Sequence, residues 1–238
     1  MTIAFDVGGP IAMFRRPYTT TSSVSFPLPP PTAIAGLLAG IVGLDNGSHE
    51  EAFASRYWEQ MKGTQIALSI LKPIAWHTGS VNFWNLKEPQ KNPHIRVKHQ
   101  FIKNPKYRIY VRGGLETKLY SHLEAGTFVY TPCLGTAYAL AGLEFMGHFN
   151  DLSVTDRRVY VSTVLPLPSE HSIKIDITAS KGIFREKLPF KLDDQRALCE
   201  SITTLYSSSP EIRICLTAWE GLDVTSCGDE CIAWFPAW

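Results

Sequence analysis

No stretch of this 238-residue chain is apolar for long enough to span a bilayer. The nearest candidate, residues 33–44, is short and interrupted by Gly36, Gly40 and Gly43, whereas roughly 18–20 residues are required. No basic segment precedes an apolar core at the N-terminus, where Asp6 stands instead, so no secretory leader is expected and the expected location is cytoplasmic. Cysteine is scarce and odd in number, five residues, which argues against a disulfide framework and for a reducing compartment. Cys227 and Cys231 stand at C-x3-C spacing, but no second pair of zinc ligands lies at a familiar spacing; no metal and no cofactor is expected, and Cys199 and Cys215 read as small core residues. Gly8-Gly9 and Gly113-Gly114 are isolated pairs rather than a phosphate-cradling loop, and no G-x-S-x-G elbow is present. Internal repeats and long polar linkers are also missing.

What remains is ordinary globular composition, with 45% apolar and 19% charged residues in 26.6 kDa, enough for one large core. The net charge of +1 conceals an uneven distribution. Residues 1–90 sum to zero and residues 121–238 to −6, while residues 91–120 carry Lys91, Arg96, Lys98, Lys103, Lys106, Arg108, Arg112 and Lys118 against Glu116 alone, a net of +7. A concentrated basic segment on a neutral background is the electrostatic footprint of a phosphate-backbone site. His94, His99, Phe101, Tyr107 and Tyr110 are interleaved with those charges and suit stacking on unpaired bases. The alternative is a solvated hairpin whose lysines keep an edge strand soluble.

Hydrophobic periodicity predicts a strand over residues 2–7, a buried helix over 32–44 with Thr32 as its cap, and a second helix over 49–62. A strand follows over 64–76 and a loop over 77–92. Residues 95–112 read as a hairpin arm turning at Asn104-Pro105, and 116–124 as a helix stopped by Gly126. Further strands are expected at 127–131 and near 139–149, 157–165, 172–178, 182–190 and 212–219, with a short helix within 193–206. Few helices among many strands, without βαβ alternation, imply an α+β antiparallel architecture; charge and pattern both change near 113–126, the best place for a subdomain boundary.

Two N-terminal strings are distinctive: Gly9-Pro10-Ile11-Ala12-Met13-Phe14-Arg15-Arg16-Pro17-Tyr18-Thr19-Thr20-Thr21, and Phe26-Pro27-Leu28-Pro29-Pro30-Pro31-Thr32-Ala33-Ile34-Ala35-Gly36-Leu37-Leu38. With Asn104-Pro105-Lys106-Tyr107-Arg108-Ile109-Tyr110-Val111 and Tyr130-Thr131-Pro132-Cys133-Leu134-Gly135, they resemble the fifth Cas protein family, RAMP-superfamily subunits of type I CRISPR surveillance complexes (Cascade), closest in flavour to subtype I-B. The resemblance spans about residues 3–135 and is loose beyond.

It implies a ferredoxin-like, RRM-related RAMP fold with an antiparallel sheet and a protruding β-hairpin thumb. The domain would cover residues 1–220, with the thumb at about 92–112 and an aromatic tail at 221–238. It further implies a non-catalytic role, binding and capping the 5′ handle of the guide RNA (crRNA). Partners would be the RNA-coating backbone subunit and the large PAM-reading subunit, with target DNA near the PAM as a further contact. The expected RNA-binding residues are Arg15, Arg16, Tyr18, Thr19, Thr20, Thr21, Ser22 and Thr32 in the N-terminal loop and helix start, and Lys98, His99, Lys103, Lys106, Tyr107 and Arg108 in the thumb and adjoining groove. Forked guanidinium donors and short hydroxyls suit phosphates and 2′-OH groups, and a helix N-terminus offers free amides to an anion.

A second reading makes the chain a metal-independent endoribonuclease of repeat RNA, as some members of the family resemble, using a Tyr, a Lys and a His. Lys98 would stabilise the phosphorane, His99 act as acid or base, and Tyr18 or Tyr107 stand nearby. Against it, Lys98 and His99 are adjacent in a strand and would face opposite sides. A third reading is a scaffold that binds an acidic protein through its basic arm.

Overall fold

The fold is that of a computed structural model, which describes residues 2–19, 22–47, 55, 57–167, 173–180 and 182–238. In chain order its elements are β1 (Thr2–Gly8), β2 (Ile11–Ala12), β3 (Phe14–Arg15), β4 (Ser25–Phe26), α1 (Pro31–Val42), α2 (Tyr57–Gln60), β5 (Gln65–Ile70), β6 (Trp76–Trp84), β7 (His94–Lys103), β8 (Lys106–Arg112) and α3 (Glu116–Glu124). There follow β9 (Gly142–Phe149), β10 (Asp151–Ser153), β11 (Val159–Val161), β12 (Leu165–Leu167), β13 (Ile173–Ile175), β14 (Ile183–Leu192), β15 (Leu198–Ser207), β16 (Ile214–Trp219), β17 (Val224–Cys227) and β18 (Glu230–Ala233).

Four strands form the first sheet in the order β5-β8-β1-β9, every neighbouring pair antiparallel. Since β1 and β5 flank β8, they run parallel to one another with α1 between them in sequence. This split β-α-β, repeated by β8-α3-β9, is the ferredoxin-like arrangement. Ile3, Phe5 and Val7 of β1 face one side and join Ile34, Leu38 and Ile41 of α1 and Leu119 and Leu123 of α3 in the main core. Ala4 faces the other side with Ala67 and Tyr110, where Cys227, Ile232 and Trp234 cover them. Strand alternation dictates both layers.

The C-terminal half builds a six-stranded sheet, β10-β17-β18-β11-β16-β13, and a three-stranded one, β12-β15-β14. Phe190, Ile202, Phe235 and Trp238 extend the main core into this half.

Several expectations are corrected. The first half of the loop expected at 77–92 is strand, and only 85–92 is loop: β6 pairs with β7 over its whole length, Trp76 opposite Ile102 through Trp84 opposite His94. The arm is therefore residues 76–103, not 92–112. Asn104-Pro105 does turn the chain, with Asn104 at φ 48°, but β8 beyond it returns into the central sheet rather than into the arm. Residues 193–206 hold a turn and β15 instead of a helix; Ile202, Thr204 and Tyr206 are buried at alternate positions, a period of two that the leucine spacing masked.

Residues 127–131 form no strand. The Val129 and Tyr130 amides donate to the Ile41 and Gly40 carbonyls, 3.0 Å each, so they satisfy the open end of α1. Thr32 is not the cap: Pro30 is, with Pro31 as the first helical residue. The expected helix over 49–62 is seen only as α2; residues 48–54 and 56 lie outside the described residues. The aromatic tail at 221–238 is no appendage, since β17 and β18 are central in the larger sheet and Trp234, Phe235 and Trp238 are buried.

Candidate nucleic-acid interface

The N-terminal loop is closed at its base by a two-residue ladder, Phe14 opposite Phe26 and Arg15 opposite Ser25, and by the Arg16 amide donating to Val24 O at 2.8 Å. Its tip carries Tyr18, 70% exposed. Arg15 is exposed and spends one donor on Thr19 O, at 2.8 Å. The Thr19 hydroxyl donates to Arg16 O at 2.8 Å; Ser22 is half-buried. Thr20 and Thr21 lie outside the described residues.

Arg16 is committed elsewhere. Its Nη1 and Nη2 donate to the two carboxylate oxygens of Glu186 at 3.0 and 2.6 Å, its Nε donates to Ser25 O at 3.3 Å, and its guanidinium lies 4.6 Å from the centre of the Phe26 ring. Its pKa is raised, chiefly by the Glu186 hydrogen bond. Nη1 also reaches the Tyr18 hydroxyl at 2.9 Å, so Arg16 holds the loop and aims Tyr18.

The loop is pinned to the arm. Ser23 makes a parallel bridge to His99: its amide donates to Lys98 O at 2.9 Å and its carbonyl accepts the Gln100 amide at 2.8 Å. The loop that carries the exposed Arg15 and Tyr18 is thus held alongside β7, one side of which is exposed and basic. On that side His94, Arg96 and Lys98 alternate along the strand, and Trp84 packs over His94 with ring centres 4.9 Å apart. Arg96, Lys98 and Lys103 have no carboxylate partner among the described residues.

The opposite side of the arm is aromatic. His99 is 4% exposed, is stacked between Phe83 at 5.8 Å and Phe101 at 5.7 Å, and has its Nδ1 3.1 Å from Val97 O.

Three predicted residues belong to the central sheet instead. Lys106 contacts Asp6 at 3.1 Å and Glu144 at 3.2 Å. Arg108 grips Asp6 with Nε at 2.6 Å and Nη2 at 3.2 Å. Tyr107 is 1% exposed, packs against Phe14 and has no hydroxyl partner among the described residues; burial raises its pKa. Arg112 is likewise held, by Asp151 and Asp223 and over the Trp234 ring. Three of the eight basic side chains of the run, Lys106, Arg108 and Arg112, are therefore internal charge balance, which a count of charges along the sequence cannot show.

The start of α1 offers less to an anion than expected: Pro31 has no amide hydrogen, and the Ala33 and Ile34 amides both donate to Pro30 O. Thr32 is half-buried there. Sequence reasoning passed over Trp84 and Asn82 because β6 was read as a loop. The available signal was a run free of charge and proline with Thr78, Val81 and Phe83 in it.

The motif at 130–135 also has a structural meaning. The Met13 amide donates to Leu134 O at 3.1 Å, and a Cβ on Gly135, at φ +89°, would stand 2.1 Å from Met13 O. Only glycine allows that contact. A groove of about 500 Å³ between α1 and this segment is lined by Gly36, Gly40, Tyr130 and Cys133, among others, and by none of the predicted RNA contacts. Among the described residues no three metal-ligating side chains cluster, and no helix is long and apolar enough to cross a membrane.

Residues 2–73 match the family model described as CRISPR-associated protein (Cas_Cas5). Over those residues the chain is similar to the Cas5 family. That region contains the whole Arg15–Ser25 loop and α1. No curated protein matches the chain by sequence.

Among solved structures, a CRISPR protein from Archaeoglobus fulgidus is similar at TM-score 0.57 and 14% identity, covering 98% of this chain and 99% of its own. A chain of a CRISPR RNA-guided surveillance complex is similar at TM-score 0.56 and 12% identity, covering 90% and 91%. A chain of Type III-B Cmr-beta bound to cognate target RNA and AMPPnP is similar at TM-score 0.52 and 13% identity, covering 90% and 86%. At these identities the likeness shows the fold alone, an α+β arrangement around a ferredoxin-like antiparallel sheet.

Proposed function

We propose that this chain is a subunit of a CRISPR effector complex of the type I kind, that it grips the 5′ handle of the guide RNA, and that it does so as a binding protein rather than an enzyme. One observation carries the reading: the Ser23–Lys98 and Ser23–Gln100 hydrogen bonds fuse the family's N-terminal loop to the arm. They support a surface on which Arg15 and Tyr18 stand near Arg96 and Lys98, which share one side of β7; Lys103 has the parity of His99 and flanks it from the other side. Unpaired cations beside an exposed ring are what a single-stranded RNA requires. The match over residues 2–73 supports the same role, and the solved structures of similar fold come from CRISPR assemblies. The backbone subunit and the large PAM-reading subunit are the proposed protein partners, with target DNA near the PAM beyond them.

Against the ribonuclease reading, Lys98 and His99 lie on opposite faces, His99 is buried between two rings, and Tyr107 is enclosed in the core. A 2′-OH attack needs base, cation and acid around one phosphate.

The test is fluorescence anisotropy with handle RNA, comparing wild type with the Lys98→Glu, Lys103→Glu pair, followed by a denaturing gel of repeat RNA in EDTA with a His99→Ala control. Weakened binding by the charge-reversed pair and intact RNA are expected. Discrete cleavage that depends on His99 would replace the binding role by a processing one.

A further inference from the structure

Among the described residues, every sheet edge longer than three residues is guarded except one. The outer side of β5 is covered: Val164 and Phe235 donate to Leu68 O and Ile66 O at 2.7 and 2.9 Å. The edge strand β9 is broken by a register shift and carries Glu144. Strand β14 has Lys187, Pro189 and Lys191 and two register shifts. Strands β2, β10, β12 and β13 are two or three residues long. These are the devices that keep sheet edges from pairing with foreign strands.

Strand β6 has none of them. It is nine residues long, in unbroken register with β7, lacks proline, and contains no Lys, Arg, Asp or Glu. It is the last strand of its sheet. The hydrogen-bond parity along it follows from two bonds, Lys103 N to Ala75 O at 2.7 Å and Asn85 N to Pro93 O at 2.9 Å. Odd-numbered residues bond inward to β7, so the amides and carbonyls of Thr78, Ser80, Asn82 and Trp84 point outward. Among the described residues those outward groups have no partner. A two-stranded ribbon is marginal in water, and this one also exposes Phe83, Trp84, Leu86 and Ile95.

We propose that the outer edge of β6 is a strand-docking site that accepts an extended, acidic segment of a partner protein as a third strand of the arm. The arm chooses the occupant by charge. Residues 76–103 hold five Lys/Arg against one Glu, so a second copy pairing β6 to β6 brings like charges together, whereas an acidic segment is attracted. Side chains on one face of the added strand lie beside Val81 and Phe83 and are apolar. Those on the other lie beside Ser80 and Asn82, whose short side chains leave Lys98 and Arg96 within reach of glutamates. Main-chain bonds supply affinity and the alternation supplies selectivity. The main-chain ladder does not rest on the RNA reading, because it uses the edge of β6; only the glutamate contacts share Arg96 and Lys98 with the proposed RNA surface.

The probe is a synthetic peptide of about twelve residues alternating glutamate and valine, compared with the same peptide N-methylated on every second amide; its affinity is measured by anisotropy on the full chain. Methylation of the edge-facing amides is expected to weaken binding at least about tenfold, since it removes ladder bonds and leaves charge unchanged. Ser80→Pro is expected to do the same, because it deletes an outward amide without touching the β6–β7 ladder. Asn82→Lys serves as a second variant that restores an edge guard. Amide exchange must show Thr78, Ser80 and Asn82 unprotected in the free chain and protected with peptide, while Val81 stays protected throughout, also in Ser80→Pro.

Handle RNA binding by Ser80→Pro remains at the wild-type level, and failure of the handle to bind any variant overturns the RNA reading while leaving this one intact. Equal binding of the two peptides, absence of binding, wild-type affinity in both edge variants, or a β6-linked dimer in sedimentation each overturns the proposal.

Discussion

The guanidinium of Arg16 is clasped by both carboxylate oxygens of Glu186, 170 positions further along the chain. This fork joins the N-terminal loop to β14 and leaves Arg16 few donors for a ligand. Arg16→Ala or Glu186→Ala is expected to cost about 2 kcal/mol, the scale of a partly buried charge-assisted pair. Arg16→Lys recovers only part, having no fork. Urea unfolding measures both. If Arg16 positions Tyr18 rather than touching phosphate, Arg16→Ala lowers handle affinity without changing the salt slope.

The salt dependence separates free cations from committed ones. Neutralising Lys98 and Lys103 together should reduce the slope of log K against log salt by about two, and Arg96→Ala by about one. Lys106→Ala should leave it unchanged, because its ammonium already contacts Asp6 and Glu144. A titration of handle RNA from low to physiological salt reads all three.

Asp6 is buried at the centre of the ferredoxin sheet and depends on Arg108. Removing the guanidinium in Arg108→Ala leaves that carboxylate without its closest partner and should destabilise by about 3 kcal/mol. The double variant Asp6→Asn, Arg108→Ala should be less destabilised than the sum of its parts, the signature of a coupled pair in a thermodynamic cycle.

Alkali should unfold the protein through the cluster beneath Trp234. Burial pushes Tyr110 up to about 12 and Cys227 up to about 11. Their ordinary values are near 10 and 8.5, so the unfolded chain releases these protons first. Stability is then full below about pH 8 and falls as pH rises through the raised values. Melting temperature against pH checks this; Cys227→Ala should flatten the fall near pH 9–11, and Tyr110→Phe its upper part.

The central sheet was legible in the sequence because β1, β5 and β8 are buried on both faces or nearly so, and read as β-branched and aromatic runs; α1 and α3 declared themselves by leucine and isoleucine spacing. The arm was misplaced because β6 is exposed on both faces, so Trp76–Trp84 carries no hydrophobic alternation, and Gly79 reads as a break. Proximity in sequence likewise joined Lys106, Tyr107 and Arg108 to the basic segment. Asp6 is 102 residues from Arg108, and no local pattern announces a partner at that distance. Lys98 and His99, by contrast, were correctly set on opposite faces by strand geometry alone.

The sheet of residues 2–149 is lidded by Trp234 and stapled along β5 by Phe235 and Trp238, whose amides donate to Ile66 O and Thr64 O. A ribosome makes β1 first and residues 224–238 more than two hundred peptide bonds later. Until then the second face of the sheet, with Ala4, Ala67 and Tyr110, lacks the cover of Cys227, Ile232 and Trp234. Folding of this chain is therefore completed only after synthesis has passed residue 238, and a stalled or truncated product presents an open, adhesive sheet to the cell.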